Sequence, residues 1–417
     1  MIIIKLAIKS LANRKATAIL AVFSIALSVF LILGVENLRK GVKQSFLQTI
    51  SSTDMVVGPR TSDVQLLLYS IFQIGDPSNN ITLKSLKTLE KHPLVSWMVP
   101  ISIGDSHRSF RIIGTTQSYF DHMLHPDGQK LRFDSGQKFI RPLQSVIGSQ
   151  VAKKLGYKPG AEFVASHGLD HVSFISHERE KLKVVGILAP TGTPVDRSLF
   201  VSLHTIEALH HDWQPGQKDD GEETDAHLQT VDEPELVSAA FFGLKSKISV
   251  LNFQRIVNQF AREPLTAVIP GVAFAKIWSL VTKVEQVLLI IAGMVGLASI
   301  IGVTITILAS LAARRREMAI LRSIGAGPFK IMGLFIAESL VLTIAGLMIG
   351  AGCLYAGLWF GQNIITQLSG VYFPFLPPGH NEVLFLVLIF IGSFFGAMLP
   401  AIGAYRMSLA DGMSVKL

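Results

Sequence analysis

The chain has 417 residues, 49% of them hydrophobic and only 16% charged, where a soluble protein usually carries about 25% charged residues. A net charge of +8 would point to nucleic acid on a soluble protein, but the basic residues flank apolar runs and no aromatic-and-basic nucleic-acid motif is present, so the charge is read first as membrane topology. The one cysteine, Cys353, excludes an intramolecular disulfide, so a large polar domain must hold together by its own core.

Residues 1–16 read as a short amphipathic helix on the cytoplasmic membrane surface, with Lys5 and Lys9 one turn apart on its polar side. An uninterrupted apolar stretch, 17–35, is close to the roughly 20 residues that cross a bilayer. A signal peptide would have a shorter apolar region and a small-residue cleavage site, and none follows Gly34.

Residues 36–283 form a polar segment of mixed charge. Ser109–Ile113, Phe163–Ala165, Lys181–Leu188 and Ser198–Val201 read as strands, and Ile81–Lys91 and Gln144–Leu155 as helices, so an α+β domain is expected. His210–Glu235 is acidic and nearly free of aliphatic residues, the composition of a loop. Leu38, Val42, Phe46 and Ile50 after the first span fall at helical spacing. So do Phe274, Ile277, Val281, Val284 and Leu288 before the second. Both spans are therefore expected to continue outward as an amphipathic stalk; the competing reading makes these ordinary core helices of the domain.

Three further spans are expected at 286–312, 331–360 and 383–402. Loop 314–330 is rich in Arg and Lys, loop 361–382 has neither, and the tail 403–417 carries Arg406 and Lys416. The positive-inside rule then makes both termini and loop 314–330 cytoplasmic, with 36–283 and 361–382 outside. The fold class expected is an integral membrane protein with four transmembrane α-helices and a large α+β extracytoplasmic domain between the first and second. The setting expected is a bacterial inner membrane, with the large domain periplasmic.

Loop 314–330 combines an Arg cluster ending a span, an amphipathic stretch (Met318, Ile320, Leu321, Ile324) and a Gly325-Ala326-Gly327-Pro328 turn back into the membrane. A basic helix with an apolar edge suits a groove on a cytoplasmic partner; a charged anchor with a tight turn is the plainer alternative. The run Arg314-x-x-Glu317-x-x-x-Leu321-Arg322-x-x-Gly325-Ala326 resembles the cytoplasmic loop of the FtsX-like permease family, which includes macrolide exporters and lipoprotein-releasing permeases. Leu399-Pro400-Ala401 followed by Ala404, Met407-Ser408 and Asp411-Gly412 resembles that family's C-terminal signature, and Val56–Ser62, running into Gln65–Leu68, resembles a motif found after the first helix in one subgroup of these permeases.

The resemblance implies a non-catalytic permease subunit of a type VII ABC transporter. The permease would work as a homodimer or with a paired permease, bound to a cytoplasmic ATPase that holds ATP and magnesium. Loop 314–330 would be the coupling helix, with Arg314, Glu317, Leu321, Arg322, Gly325 and Ala326 at the ATPase contact. ATP-driven closure would be relayed to the outer domain, a mode called mechanotransmission, for export or extraction of a substrate. A periplasmic substrate-handling protein and membrane lipids complete the expected partners, with no nucleic acid. The chain has no G-x-x-x-x-G-K-[ST] phosphate loop, so ATP hydrolysis is expected from a separate subunit.

Gly346 and Gly350 form a small-xxx-small pair suited to close helix packing, as do Gly357 and Gly361. Glu338 is the one charge well inside a span and is read first as structural, reaching back to the cytoplasmic interface, with a partnership to Arg322 or the backbone near the coupling helix as the functional alternative. Eleven of the twelve histidines lie between His92 and His227. His122 and His125, His167 and His171, and the pair His210-His211 have spacings found among metal ligands, so zinc stays open beside the reading in which histidine is a common surface residue. Thr193–Arg197 reads as a structural corner. Three other functions stay open: a signalling protein whose outer domain regulates a periplasmic partner, a receptor or scaffold that works without an ATPase, and a metal-linked transport component.

Overall fold

The computed structural model describes residues 2–12, 14–50, 53–124, 129–167, 176–211, 233–313, 317, 320, 323–369 and 378–406. The chain begins with α1 (Ile2–Ala12), α2 (Lys15–Ile50), β1 (Met55–Pro59), α3 (Asp63–Ser70), β2 (Ile81–Thr82) and α4 (Leu83–Glu90). It continues through β3 (Val95–His107), β4 (Phe110–Thr115), α5 (Tyr119–His122), β5 (Phe133–Gly136), β6 (Gln144–Ile147), α6 (Ser149–Leu155), β7 (Glu162–His167) and β8 (Ser176–Leu188). Then come β9 (Ser198–Ser202), α7 (Leu203–His211), β10 (Leu236–Val237), β11 (Ala239–Leu244), α8 (Val250–Asn258) and β12 (Leu265–Val268). The last three helices are α9 (Pro270–Ala313), α10 (Pro328–Ser369) and α11 (His380–Arg406).

The chain divides into two units: one of residues Val42–Val281 with Ile364–Tyr372, the other of Met1–Gly41, Thr282–Asn363 and Phe373–Leu417. The first is an α/β domain built on a mixed sheet. Along one edge the strand order is β12-β1-β11-β3. β1 and β11 are buried at every position, because helices cover both faces. Alternation along β1 makes this explicit: Met55 and Val57 pack with Leu86 of α4 and Phe253 of α8, while Val56 packs with Leu66 of α3 and Phe274 of α9.

From β3 the pairings close a ring, β3-β4-β9-β6-β8-β7 and back to β3. Closure leaves these strands no free edge along the ring. Its apolar core includes Ile112, Ile147, Phe163, Val184 and Leu199, one from each of five ring strands. Residues 144–155, expected as one helix, are a strand, a glycine and a short helix. Val146 and Ile147 favour extended backbone and pair with both β8 and β9. Gly148 then packs against the carbonyls of Val195 and Asp196, where no side chain fits. Likewise Ile81 and Thr82 pair with β10, and Thr82 caps α4 instead of belonging to it.

The second unit is helical. Four helices among the described residues are long and apolar enough to cross a membrane: Lys15–Gly41, Pro270–Ala309, Pro328–Gly361 and Glu382–Gly403. Leu33, Ile307, Phe335 and Ala401, one from each, lie in a shared apolar core. α2 and α9 are each single unbroken helices, longer than the expected spans at the end toward residues 50 and 270. The amphipathic face expected on α9 divides in use. Phe274 is buried in the α/β core with Ile277 packed against it, whereas Val281, Val284 and Leu288 are exposed. α10 runs on to Ser369 because nothing between Gly361 and Gly370 breaks the helix.

Candidate functional site

Within loop 314–330, Arg314, Leu321 and Arg322 lie outside the described residues. Glu317, Ile320 and Ser323 are helical, and the Ile324 amide donates to the Ile320 carbonyl at 3.2 Å. Glu317, Ile320 and Ile324 follow one another at three- and four-residue steps, so they share a face. All three are exposed, Ile324 at 78%. Gly325 ends the turn with φ +96°, a left-handed conformation that glycine adopts without steric cost. Ala326 is half-buried, and Pro328 opens α10 at its first position, where a missing N–H costs nothing.

Gly346 and Gly350 meet α2 of the same chain. A Cβ on Gly346 would stand 2.6 Å from that of Ile25, and one on Gly350 would stand 2.5 Å from the Ala26 carbonyl oxygen. The pair therefore lets the first and third spans approach backbone to backbone. Gly357 faces open space.

The histidines divide as follows. His122 stacks on Trp97 with ring centroids 4.4 Å apart. Burial and the charges of Lys130 and Lys138 hold its ring below the usual range, against the pull of Asp121. His125 and His171 lie outside the described residues, as do the side chains of His167, His210 and His211. Among the described residues, no group of three or more His, Cys, Asp or Glu is placed to hold a metal ion. His107, which the spacing argument passed over, engages both ring nitrogens, one with the Val164 carbonyl at 2.7 Å and one with the Tyr157 hydroxyl at 2.9 Å. Asp196 ties its corner together: its carboxylate accepts from the amides of Thr191 (2.8 Å) and Gly192 (2.7 Å). Burial nonetheless pushes its carboxyl upward.

A family model described as the MacB-like periplasmic core domain matches residues 18–241, more than half of the chain. A second, the FtsX-like permease C-terminal model, matches residues 289–409. The chain belongs to the MacB- and FtsX-like permease family.

Members of this family are membrane components of ABC transporters. No curated protein sequence matches the permease. Among solved structures, it is similar to the periplasmic region of MacB from Actinobacillus actinomycetemcomitans, at 11% identity and a TM-score of 0.34, over 56% of this chain and 97% of that one. It is also similar to the extracellular domain of the ABC-type transporter YknZ from Gram-positive bacteria, at 12% identity and a TM-score of 0.31, over 52% of this chain and 99% of that one.

The bundle of the permease holds polar groups that a span-by-span reading passes over. Ser28 and Ser299 hydroxyls lie 2.6 Å apart and join α2 to α9. Gly392 and Gly396 of α11 likewise face α9: a Cβ on Gly392 would stand 2.7 Å from the Ile300 side chain and one on Gly396 2.7 Å from the Thr304 hydroxyl. At the end of the bundle nearest the α/β sequence lies a set of charges. Arg39 donates to Glu36 at 2.9 and 2.5 Å and reaches Glu285 of α9 at 3.0 Å. Lys40 donates to both oxygens of Glu382 on α11, at 2.5 and 2.6 Å. Glu36 and Glu382 are each 1% exposed. The sequence signal was present: Glu36 directly follows the first expected span, while Glu285 and Glu382 directly precede the second and fourth.

Proposed function

We propose that the permease couples ATP hydrolysis by a cytoplasmic ATPase subunit to movement of its α/β domain, and that this movement drives export or extraction of a substrate outside the membrane. The observation that supports this most directly is the pairing of a MacB-like periplasmic domain with an FtsX-like membrane region, on a chain whose α2 and α9 are unbroken helices. A continuous helix transmits displacement along its axis, since every turn is held by i to i−4 hydrogen bonds. The exposed face of Glu317, Ile320 and Ile324 suits docking in a groove on the ATPase. Arg314, Leu321 and Arg322 complete that contact, and Gly325 and Ala326 set the turn behind it. ATP and magnesium bind the ATPase. Two copies of the permease then stand over two ATPases.

The orientation in this reading follows the short basic loops. Both termini and loop 314–330 face the cytoplasm of a bacterial inner membrane, and the α/β domain is periplasmic. The test is a pull-down from native membranes solubilised in mild detergent, with the tag at Leu417 and an Arg322→Glu variant alongside. Recovery of a Walker-motif ATPase with the wild type, and its loss with the variant, is the expected result. No ATPase with the wild type in the presence of an ATP analogue overturns the reading.

A further inference from the structure

The charges at the end of the bundle nearest the α/β sequence are arranged as a junction. α2 contributes Glu36, Arg39 and Lys40, and its two cations reach different helices: Arg39 goes to Glu285 of α9, Lys40 to Glu382 of α11. Glu382 also accepts from the Gly379 amide at 2.9 Å, which fixes the start of its own helix. Two carboxylates this deeply buried beside an apolar bundle are tolerated only while paired. Successive residues of a helix point about 100° apart, as 3.6 residues per turn requires. A rotation of α2 by one residue would therefore turn Arg39 away from Glu285 and Lys40 away from Glu382 together, while Glu36, on α2 itself, would turn with Arg39. The contacts thus fix the rotation and the height of α2 against two other spans at a single level. Two of the three helices so joined, α2 and α9, are the ones that continue unbroken toward the α/β sequence.

We propose that Arg39 and Lys40 are positioning residues of a charge clamp, holding the outer ends of the first, second and fourth spans as one body. A displacement reaching any of these spans is then delivered to α2 and α9 together. The relay role rests on the permease reading above; the clamp as a fixed junction does not.

The experiment uses the full chain in lipid nanodiscs, on a Cys353→Ser background. Spin labels replace exposed Leu38 on α2 and exposed Val383 on α11. Distance distributions are compared for the wild type, Lys40→Glu, Glu382→Lys, the double charge swap and Lys40→Arg. Glu382→Gln serves if the reversals do not fold. A narrow distribution is expected in the wild type and in Lys40→Arg, broadening in each reversal or in Glu382→Gln, and narrowing again in the swap. Unchanged single variants, or a swap that stays broad, overturn the clamp. With the co-purified ATPase, stimulation of hydrolysis by the permease should fall in the single variants and return in the swap. Stimulation that ignores a broadened distribution overturns the relay role. Failure of any ATPase to co-purify overturns the relay role and the permease reading together, and the distance arm still decides the clamp.

Discussion

His107 shows how a single side chain in the outer domain answers to pH. Its ring is held between Val164 and Tyr157 near the end of β3. Burial pulls its pKa below the ordinary 6.5, the Val164 bond opposes this, and the Arg108 charge adds to the lowering. The folded state thus favours the neutral ring. The corresponding stability is fully present above 6.5, the unfolded value, and is lost as pH falls from there through the folded pKa. The melting temperature of the wild type should therefore fall between about pH 7.5 and about pH 5.5, and a His107→Gln variant should show a flatter profile. A variant that tracks the wild type would assign the acid sensitivity to other groups. At the same scale, Gly350→Val would drive methyls into the Ala26 carbonyl and Val29, and overpacking of this kind costs about 1–3 kcal/mol. Gly357→Val, which meets open space, should stay within about 0.5 kcal/mol. Thermal unfolding in detergent compares the two. Gly325→Val places a β-branched residue at φ +96°, a left-handed position costing about 1–2 kcal/mol for an L-residue. Its expected signature is weaker ATPase recovery with unchanged unfolding of the α/β domain.

Among the elements, the spans were legible because an apolar run of this length has few other uses, and the strands because β-branched and aromatic residues cluster in short runs. The stretch 144–155 was not. Its apolar residues also fit a helix, and only the carbonyls of Val195 and Asp196, distant in sequence, show why Gly148 breaks it. The charge clamp was hidden for a related reason. Glu36, Glu285 and Glu382 each stand one residue outside an expected span, where a charge is unremarkable, and only the helix packing brings them to one level. In loop 314–330, Ile320 and Ile324 are exposed, while Met318 and Leu321 of the stretch read as amphipathic lie outside the described residues. The continuity of α9 carries its own prediction. A Gly-Ser-Gly insertion between Val281 and Thr282 should leave ATPase binding intact and abolish transport, because displacement would be absorbed at the break. Retained transport would show that α9 does not carry the relay.

For the whole molecule, two kinds of surface have different uses. The α/β domain covers both faces of its β1–β11 edge and closes β3, β4, β9, β6, β8 and β7 into a ring. The helical unit keeps large apolar side chains such as Leu297, Trp359 and Phe395 exposed, at 59%, 68% and 61%, as lipid or a second copy requires. In the proposed cycle, ATP hydrolysis in the cytoplasm moves the α/β domain outside the membrane. The most direct measurement is hydrogen exchange of the α/β domain and of residues 270–285 in the reconstituted permease–ATPase complex, with and without ATP. A nucleotide-dependent change along α9 and at the domain, lost with Arg322→Glu, is the expected result. Identical exchange with and without ATP, in a complex that hydrolyses it, would show that hydrolysis does not move the domain.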